Sequence, residues 1–470
     1  MPGERFDVVI VGARCAGSPL ATLLARSGLR VAVVEQVTFP RTVLSSHLIE
    51  ADSLNFFKRL GILDPVRKTG VRFMHGVDTR LNELRLVTRF PLRPGDLGGA
   101  AFLRRHLLDS ILADAAAEAG AEMRMDTKVV GLLEEAGRVT GVRVVHDGRE
   151  SELHAPLVVG ADGRKSTVAR LCGARRYNVT RNERSYYFTF FEGASPDSDD
   201  LFVFHRWDDR MVWAGAADSG LYLVGVSPED HQREDFRRDP ETNLMAHMRA
   251  CEPTAAALAD ARRATKIFGI VRFEGYFREP TGPGWVLVGD AGHFKDPAAG
   301  RGIGDAFIQA ERLAPTIVAG LDGTGPPLDL ALAEWAAWRD RKFAGHYWMT
   351  NDLGCAGAIP TMAPQLVQAL EGRGEVDRFF DLFSHRSCYY DILTIPRLAE
   401  ATGRVLVKGR FDRAAVVREA GRLLVREGRR RWINTHPDFE PPEPPDARPR
   451  SQGTGDRVAA AARPFAAAVD

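Results

Sequence analysis

The sequence predicts an α/β protein: a parallel-sheet domain, interrupted by a mostly antiparallel sheet and followed by a helical region. Three observations predict it. A βαβ pattern with a glycine turn occupies Phe6 to Gln36, and aromatic and β-branched runs dominate 177–275. Buried-strand signals then return at Trp285-Val286-Leu287-Val288, ahead of long helical periodicities.

The opening unit carries the first chemistry. The apolar run Asp7 to Val11 reads as a buried parallel strand, Gly12 as a tight turn, and Ala16 to Ser27 as a helix stopped by Gly28. A second buried strand, Arg30 to Val34, ends on Glu35. Backbone N–H groups at such a helix start face a pyrophosphate, and an acid at the end of the second strand holds ribose hydroxyls. The spacing from Gly12 to Glu35 suits a dinucleotide. Gly-x-Gly-x-x-Gly expects glycine where Arg14 stands, so the arginine either turns away or joins the phosphate-binding set.

Composition bounds the rest. At 470 residues the chain is too long for one compact core, and two or three domains are expected. Basic and acidic residues balance to a net charge of +1, which argues against a nucleic-acid or polyanion binder. Five scattered cysteines offer no zinc or disulfide pattern. No apolar run approaches the ~20 residues of a membrane span, and no signal peptide precedes Phe6, so a cytoplasmic location is expected.

In chain order, Glu50 to Leu60 reads as an amphipathic helix stopped by Gly61, and Arg72 to Phe90 as strand. Arg104 to Ala119 is helical, with Leu107, Leu108, Ile111, Leu112 and Ala115 on one face. Glu122 to Leu133 and Val139 to Val145 read as a hairpin, and Leu157-Val158-Val159 as a buried strand running into Gly160-Ala161-Asp162-Gly163. Strands are expected at Tyr186 to Phe191, Leu201 to Trp207, Met211 to Ala214, Leu221 to Val226 and Ile267 to Phe273, with a helical interlude from Glu241 to Arg263. Helices are expected at Gly304 to Ala319, Leu328 to Met349 and Asp412 to Trp432. The basic run Arg426 to Arg431 reads as a solvated helix end favoured by the helix dipole. From Pro437 the composition is that of a disordered tail.

Three motifs fall on strand ends: the turn at Gly12, Gly160-Ala161-Asp162-Gly163, and Gly289-Asp290-Ala291-Gly292-His293, which continues to Gly300-Arg301-Gly302-Ile303-Gly304. Together they resemble the FAD-dependent monooxygenases of the aromatic-hydroxylase type and the related geranylgeranyl reductases, over roughly Phe6 to Ala319. The resemblance implies a Rossmann-like FAD-binding domain built from 1–75, 101–176 and 276–325. It implies substrate-domain strands at 76–100 and an inserted, mostly antiparallel β-sheet substrate domain at 177–275. A C-terminal helical region at 326–435 and a tail at 436–470 complete the division.

Carried over residue by residue, Gly12, Ala13, Cys15, Ala16 and Gly17 form the pyrophosphate turn. Glu35 and Gln36 meet the adenosine ribose, and Arg41 lies near the pyrophosphate. Arg105 reaches back to the cofactor, Val129 holds adenine through backbone atoms, Asp162 belongs to the motif tied to FAD and NAD(P)H, and Asp290 binds the ribityl chain. Pro297, Gly300, Gly302 and Ile303 face the flavin, where a helix N-terminus suits the negative charge of the reduced ring. Gly304 stands where the family usually has asparagine.

The resemblance also implies a reaction: NAD(P)H reduces FAD, reduced flavin captures O2 as a C4a-hydroperoxide, and oxygen passes to an aromatic or polyketide-like small molecule. Tyr187, His205 and Trp213 are candidate substrate contacts. His47 and Lys295 are candidate catalytic groups, against the plainer readings of a loop histidine and a solvated lysine. The alternatives are a flavin-dependent C=C reductase and a flavoprotein whose FAD shapes a non-redox cyclisation pocket. The Trp-x-Trp-x-Ile-Pro signature of the halogenase branch is absent.

Overall fold

The computed structural model describes residues 3–40, 45 and 47–442. Its first layer is a six-stranded sheet in the order Thr281–Gly282, Trp285–Leu287, Leu157–Gly160, Val8–Val11, Val31–Val34, Glu122–Arg124. All neighbours run parallel except the Thr281–Gly282 edge. Every residue of the three central strands is buried, as helices or sheet on both faces require.

Alternation along these strands splits the core in two. Val8, Ile10, Val31 and Val33 pack with Leu20 and Leu24 of the helix Gly17–Arg26, Leu108 and Leu112 of Arg105–Glu118, and Phe307 and Leu313 of Gly302–Asp322. Val9, Val11, Ala32 and Val34 pack instead on a three-stranded antiparallel meander, Lys128–Glu135, Arg138–His146 and Arg149–His154. The hairpin expected over Glu122 to Val145 is therefore divided. Asp126, at φ 50°, turns the chain, so Glu122–Arg124 joins the parallel sheet and only Lys128–Glu135 pairs forward.

The second layer is an eight-stranded sheet. Its path runs Arg262–Arg263, Tyr186–Glu192, Tyr222–Val226, Arg210–Ala216, Leu201–Trp207, Gly76–Leu81, Leu84–Arg89, and Phe268–Ile270 pairs separately with Tyr186–Glu192. One pair is parallel, Leu201–Trp207 with Gly76–Leu81, which splices the early hairpin onto the inserted sheet. The expected helical interlude resolves into two helices, Pro240–Arg249 and Glu252–Ala257, before the strand Arg262–Arg263. These helices cover the outer face of the sheet, leaving the inner face toward the first layer.

The helix Leu328–Leu353 packs along Gly302–Asp322, and Met362–Glu371, Asp377–Leu382, Ile395–Lys408 and Arg413–Thr435 follow. Past the last helix, Phe439 packs on Tyr177 with ring centroids 5.1 Å apart, and Glu440 accepts from Arg176 Nε at 2.8 Å. No helix among the described residues is long and apolar enough to cross a membrane.

Candidate active site

A cavity of about 790 Å³ lies between the carboxyl ends of the parallel strands and the inner face of the long sheet, where open α/β sheets bind ligands. At one end sits the glycine turn. Gly12 has φ 106°, and a Cβ there would lie 2.4 Å from the Ala161 carbonyl oxygen. A Cβ on Gly17 would lie 1.8 Å from the Gly12 carbonyl oxygen. Both glycines therefore let the helix Gly17–Arg26 sit hard against the strand ends. That helix has no side-chain cap, and Gly12, Cys15 and Ala16 line the cavity beside its start.

Glu35, Gln36 and Val129 line the same end. Glu35 is buried, and its Oε2 accepts the Ala13 N–H at 3.1 Å. Ala13 thus spends its amide on the acid rather than on a ligand. Burial raises Glu35, with the Ala13 amide and Arg14 pulling the other way. Arg14 resolves as a bridge: Nη1 lies 3.4 Å from Asp109 Oδ2, Nε lies 3.8 Å from Glu35 Oε2, and the guanidinium sits over the Phe39 ring. Asp109 also holds Arg105, through Nε at 2.9 Å and Nη2 at 3.2 Å. Asp109 was not anticipated as a site residue; its place four residues after Arg105 on one helix face was the available signal. Arg41 lies outside the described residues.

Asp162 and Asp290 both line the cavity but differ in what they do. Asp162 accepts the Ser166 hydroxyl at 2.5 Å and the Thr167 N–H at 2.6 Å, so its carboxylate caps the short helix Thr167–Leu171. Burial pushes Asp290 up to about 6, against the pull of Arg164 and Arg105, which suits a carboxyl that meets hydroxyl groups of a ligand.

The helix Gly302–Asp322 begins at the opposite wall. Gly300 is left-handed at φ 71°, the first turn has no side-chain cap, and a Cβ on Gly302 would meet nothing within 4 Å. Pro297, Gly300, Gly302 and Ile303 all line the cavity. Uncapped amides and a positive dipole end thus face open space. Behind them Arg301, 1% exposed, holds Glu50 at 2.9 Å and Asp52 at 2.9 and 2.8 Å. A Cβ on Gly304 would fall 2.6 Å from both Arg301 Nη2 and Ser53 Oγ. The guanidinium fills the space that a side chain at Gly304 would need, which accounts for the glycine.

The other end of the cavity is aromatic: Phe188, Phe202, Phe204 and Trp213 from the long sheet, Phe294, and Phe379, Phe380 and Phe383 from the C-terminal region. Trp213 faces the cavity as expected. Tyr187 and His205 do not, which corrects that expectation. Side chains alternate across a sheet, so Tyr186 and Phe188 face inward while Tyr187 stacks on Phe236 of the outer helices, centroids 4.8 Å apart. Phe204 likewise faces in, and His205 points out to Asp78 Oδ1 at 2.9 Å. The C-terminal wall was missed entirely. Arg386 holds Asp96 through two 2.7 Å bonds, and Arg93 holds Asp381 at 2.5 Å, which pins it across the cavity.

Three polar groups remain near the aromatic end. His47 lies behind the wall: its Nδ1 accepts the Arg105 N–H at 3.1 Å, and its ring meets Phe188 and Phe190 edge-on. Burial and the Arg105 charge push it down to about 3, which favours its neutral form. Lys295 lines the cavity, buried, with Nζ 2.5 Å from Asp305 Oδ2, while Asp305 Oδ1 meets His385 Nε2 at 2.8 Å. Burial lowers Lys295, with Asp305 opposing. Tyr186 donates to Asp296 Oδ1, which also accepts the Ala298 N–H at 2.9 Å, and both residues line the cavity. Burial pushes Asp296 up to about 7.

The whole arrangement fits FAD: a glycine turn and ribose acid at one end, an unspent carboxyl in the middle, and an open helix start beside an aromatic chamber. Comparison with known proteins agrees. Digeranylgeranylglycerophospholipid reductase of Methanosarcina mazei is 27% identical over 322 residues, 66% of this chain and 74% of that protein. The 6-methylpretetramide 4-monooxygenase of Streptomyces rimosus is 26% identical over 323 residues, 68% and 77% of the two chains. Among solved structures, the myxobacterial chondrochloren halogenase, a variant of FAD-dependent halogenases, has a TM-score of 0.66 at 21% identity, over 85% of this chain and 97% of its own. A geranylgeranyl bacteriochlorophyll reductase-like protein of Thermoplasma acidophilum has a TM-score of 0.60 at 18% identity, over 85% and 96%. These two likenesses concern fold. The FAD binding domain family matches residues 5–334, and the chain belongs to that family as an FAD-dependent oxidoreductase.

Proposed function

We propose that the protein is an NAD(P)H- and O2-dependent monooxygenase that hydroxylates or epoxidises an aromatic or polyketide-like small molecule. The observation that carries this reading is the aromatic chamber with a buried proton-carrying pair, Tyr186 and Asp296, in its wall. The Streptomyces rimosus monooxygenase among its relatives supports the same reaction class.

FAD, when bound, supplies the electron transfer and the oxygen activation. Gly12, Cys15, Ala16, Glu35, Gln36, Arg105, Val129 and Asp290 would hold its adenosine, pyrophosphate and ribityl parts. The amides around Gly302 and Ile303 would receive the pyrimidine edge of the ring. Phe188, Phe204 and Trp213 exclude water and seat a flat apolar substrate. Tyr186 Oη meets the substrate side, and Asp296, titrating near neutrality, takes or returns the proton that a phenolic substrate loses. Lys295 stands at the same wall, paired with Asp305.

The second reading is a C=C reductase, favoured by the Methanosarcina mazei relative. Tyr186 would then deliver a proton to carbon. One assay separates the two. NADH or NADPH oxidation, O2 uptake and label from 18O2 are followed over a panel of phenolic and polyketide aromatics. Substrate-stimulated uptake with one labelled oxygen in the product supports the monooxygenase. Anaerobic product formation with NAD(P)H overturns it for the reductase, and product with neither reductant nor O2 leaves FAD structural. Lys295→Ala is expected to cut turnover while FAD stays bound; unchanged turnover removes Lys295 from the mechanism.

A further inference from the structure

The last helical hairpin, Ile395–Lys408 and Arg413–Thr435, has no part in the cavity. Its second helix buries Val416, Leu423, Glu427 and Arg430 against the body. The opposite side is unusual for a solvated helix. Val417, Gly421, Leu424, Gly428 and Trp432 recur at spacings of three and four residues and form one exposed stripe. Val425 beside it is 74% exposed and Trp432 60%. A Cβ on either glycine would meet nothing within 4 Å, so the stripe is open along its length. At the hairpin tip Val407 is 88% exposed, and Phe411 is exposed with it.

The charges around this stripe are predominantly positive. The helix carries seven arginines against two glutamates. Arg426 and Arg430 are taken by Asp352. Arg418, Arg422 and Arg429 each follow a stripe position by one residue and run along one flank, with Lys408, Arg410 and Arg413 exposed at the tip. Arg413, Arg422 and Arg429 have no carboxylate partner among the described residues. The basic run expected to be a solvated helix end is corrected: the helix continues to Thr435 with no basic residue in its last turn, and Arg430 is buried, so the helix dipole accounts for neither the arginines nor the apolar stripe between them.

We infer that this hairpin face docks the protein on an anionic phospholipid surface, with the Val417–Trp432 stripe entering the headgroup region and the arginines meeting lipid phosphates. A single convex helix face fits a fluid interface, where a protein partner would need a shaped groove. Trp432, apolar with one N–H, suits the depth at which headgroups meet chains. A second copy of the chain is opposed by charge, because stripe on stripe would bring arginine flanks together. The inference is independent of which reaction the flavin end performs.

The test uses full-length, FAD-loaded protein and extruded vesicles of phosphatidylcholine alone or mixed equally with phosphatidylglycerol. Co-sedimentation is expected only with the anionic vesicles and is expected to fall when salt rises from about 0.1 M to about 0.5 M. Arg422→Gln with Arg429→Gln is expected to weaken binding roughly thirtyfold. Leu424→Glu is expected to abolish it, with flavin absorbance and melting temperature unchanged. Equal binding to both vesicle types, no binding to either, or binding untouched by both variants overturns the inference. So does a dimer in light scattering that Leu424→Glu dissolves, since the face would then join two copies.

Discussion

The two ends of the cavity are built on different principles. The dinucleotide end is made of backbone and charge: Gly12 and Gly17 where any Cβ would overlap a carbonyl oxygen, amides at two helix starts, and the Glu35–Arg14–Asp109–Arg105 chain. The aromatic end is made of side-chain surface, rings from one sheet face and from helices more than a hundred residues further on. Backbone geometry tolerates almost no substitution, whereas an aromatic surface can be redrawn one ring at a time. Family membership is therefore written at the first end and reaction identity at the second. Relatives named as reductase and monooxygenase, and a halogenase of similar fold, are consistent with that division.

Four experiments would break or sharpen that contrast. Arg301→Met leaves Glu50 and Asp52 beside a buried neutral chain, and the expected cost is about 3–5 kcal/mol, read as a large fall in melting temperature and in retained FAD. A wild-type melt would mean that the charged cluster does not support the helix start. Gly17→Ala should cost about 1–3 kcal/mol through overpacking, with flavin lost on gel filtration; a fully yellow variant contradicts the close approach of Gly12 and Gly17.

Adjacent residues on one strand give the third test. Phe204→Ala should change KM and product distribution with FAD retained, while His205→Ala should cost about 1–3 kcal/mol by leaving Asp78 short of a donor and leave KM alone. Reversed phenotypes would place the chamber on the other face of the sheet. The smallest effect concerns pH. Asp296 is raised to about 7 in the fold, so folding binds a proton between the usual carboxylate range and that value. Its contribution to stability is present at low pH and declines as pH rises through that window. Asp296→Asn should flatten this slope in apoprotein melts, and an unchanged slope would assign the titration elsewhere.

Much of the dinucleotide end was legible because its requirements are local. Gly12, Glu35 and Asp290 sit at strand ends whose apolar runs announce themselves, and the first helix, expected at Ala16 to Ser27, is observed at Gly17–Arg26. The chamber was legible only in composition. Aromatic runs predicted a sheet but not its phase, so Trp213 was placed inward and Tyr187 and His205 were misplaced by one position each. No local pattern announced that Phe380 or Arg386 would close the cavity, because their place depends on ion pairs with Asp96 and Arg93, roughly three hundred residues earlier in the chain. His47 drew notice as a titrating residue, yet burial removed the property that made it interesting.

The pairing of Gly304 with Arg301 makes two positions answer for each other. A side chain added at 304 would collide with the guanidinium, and an arginine lost at 301 would strand two acids. Neither change is neutral alone, so a redesign of this helix start has to alter both positions together.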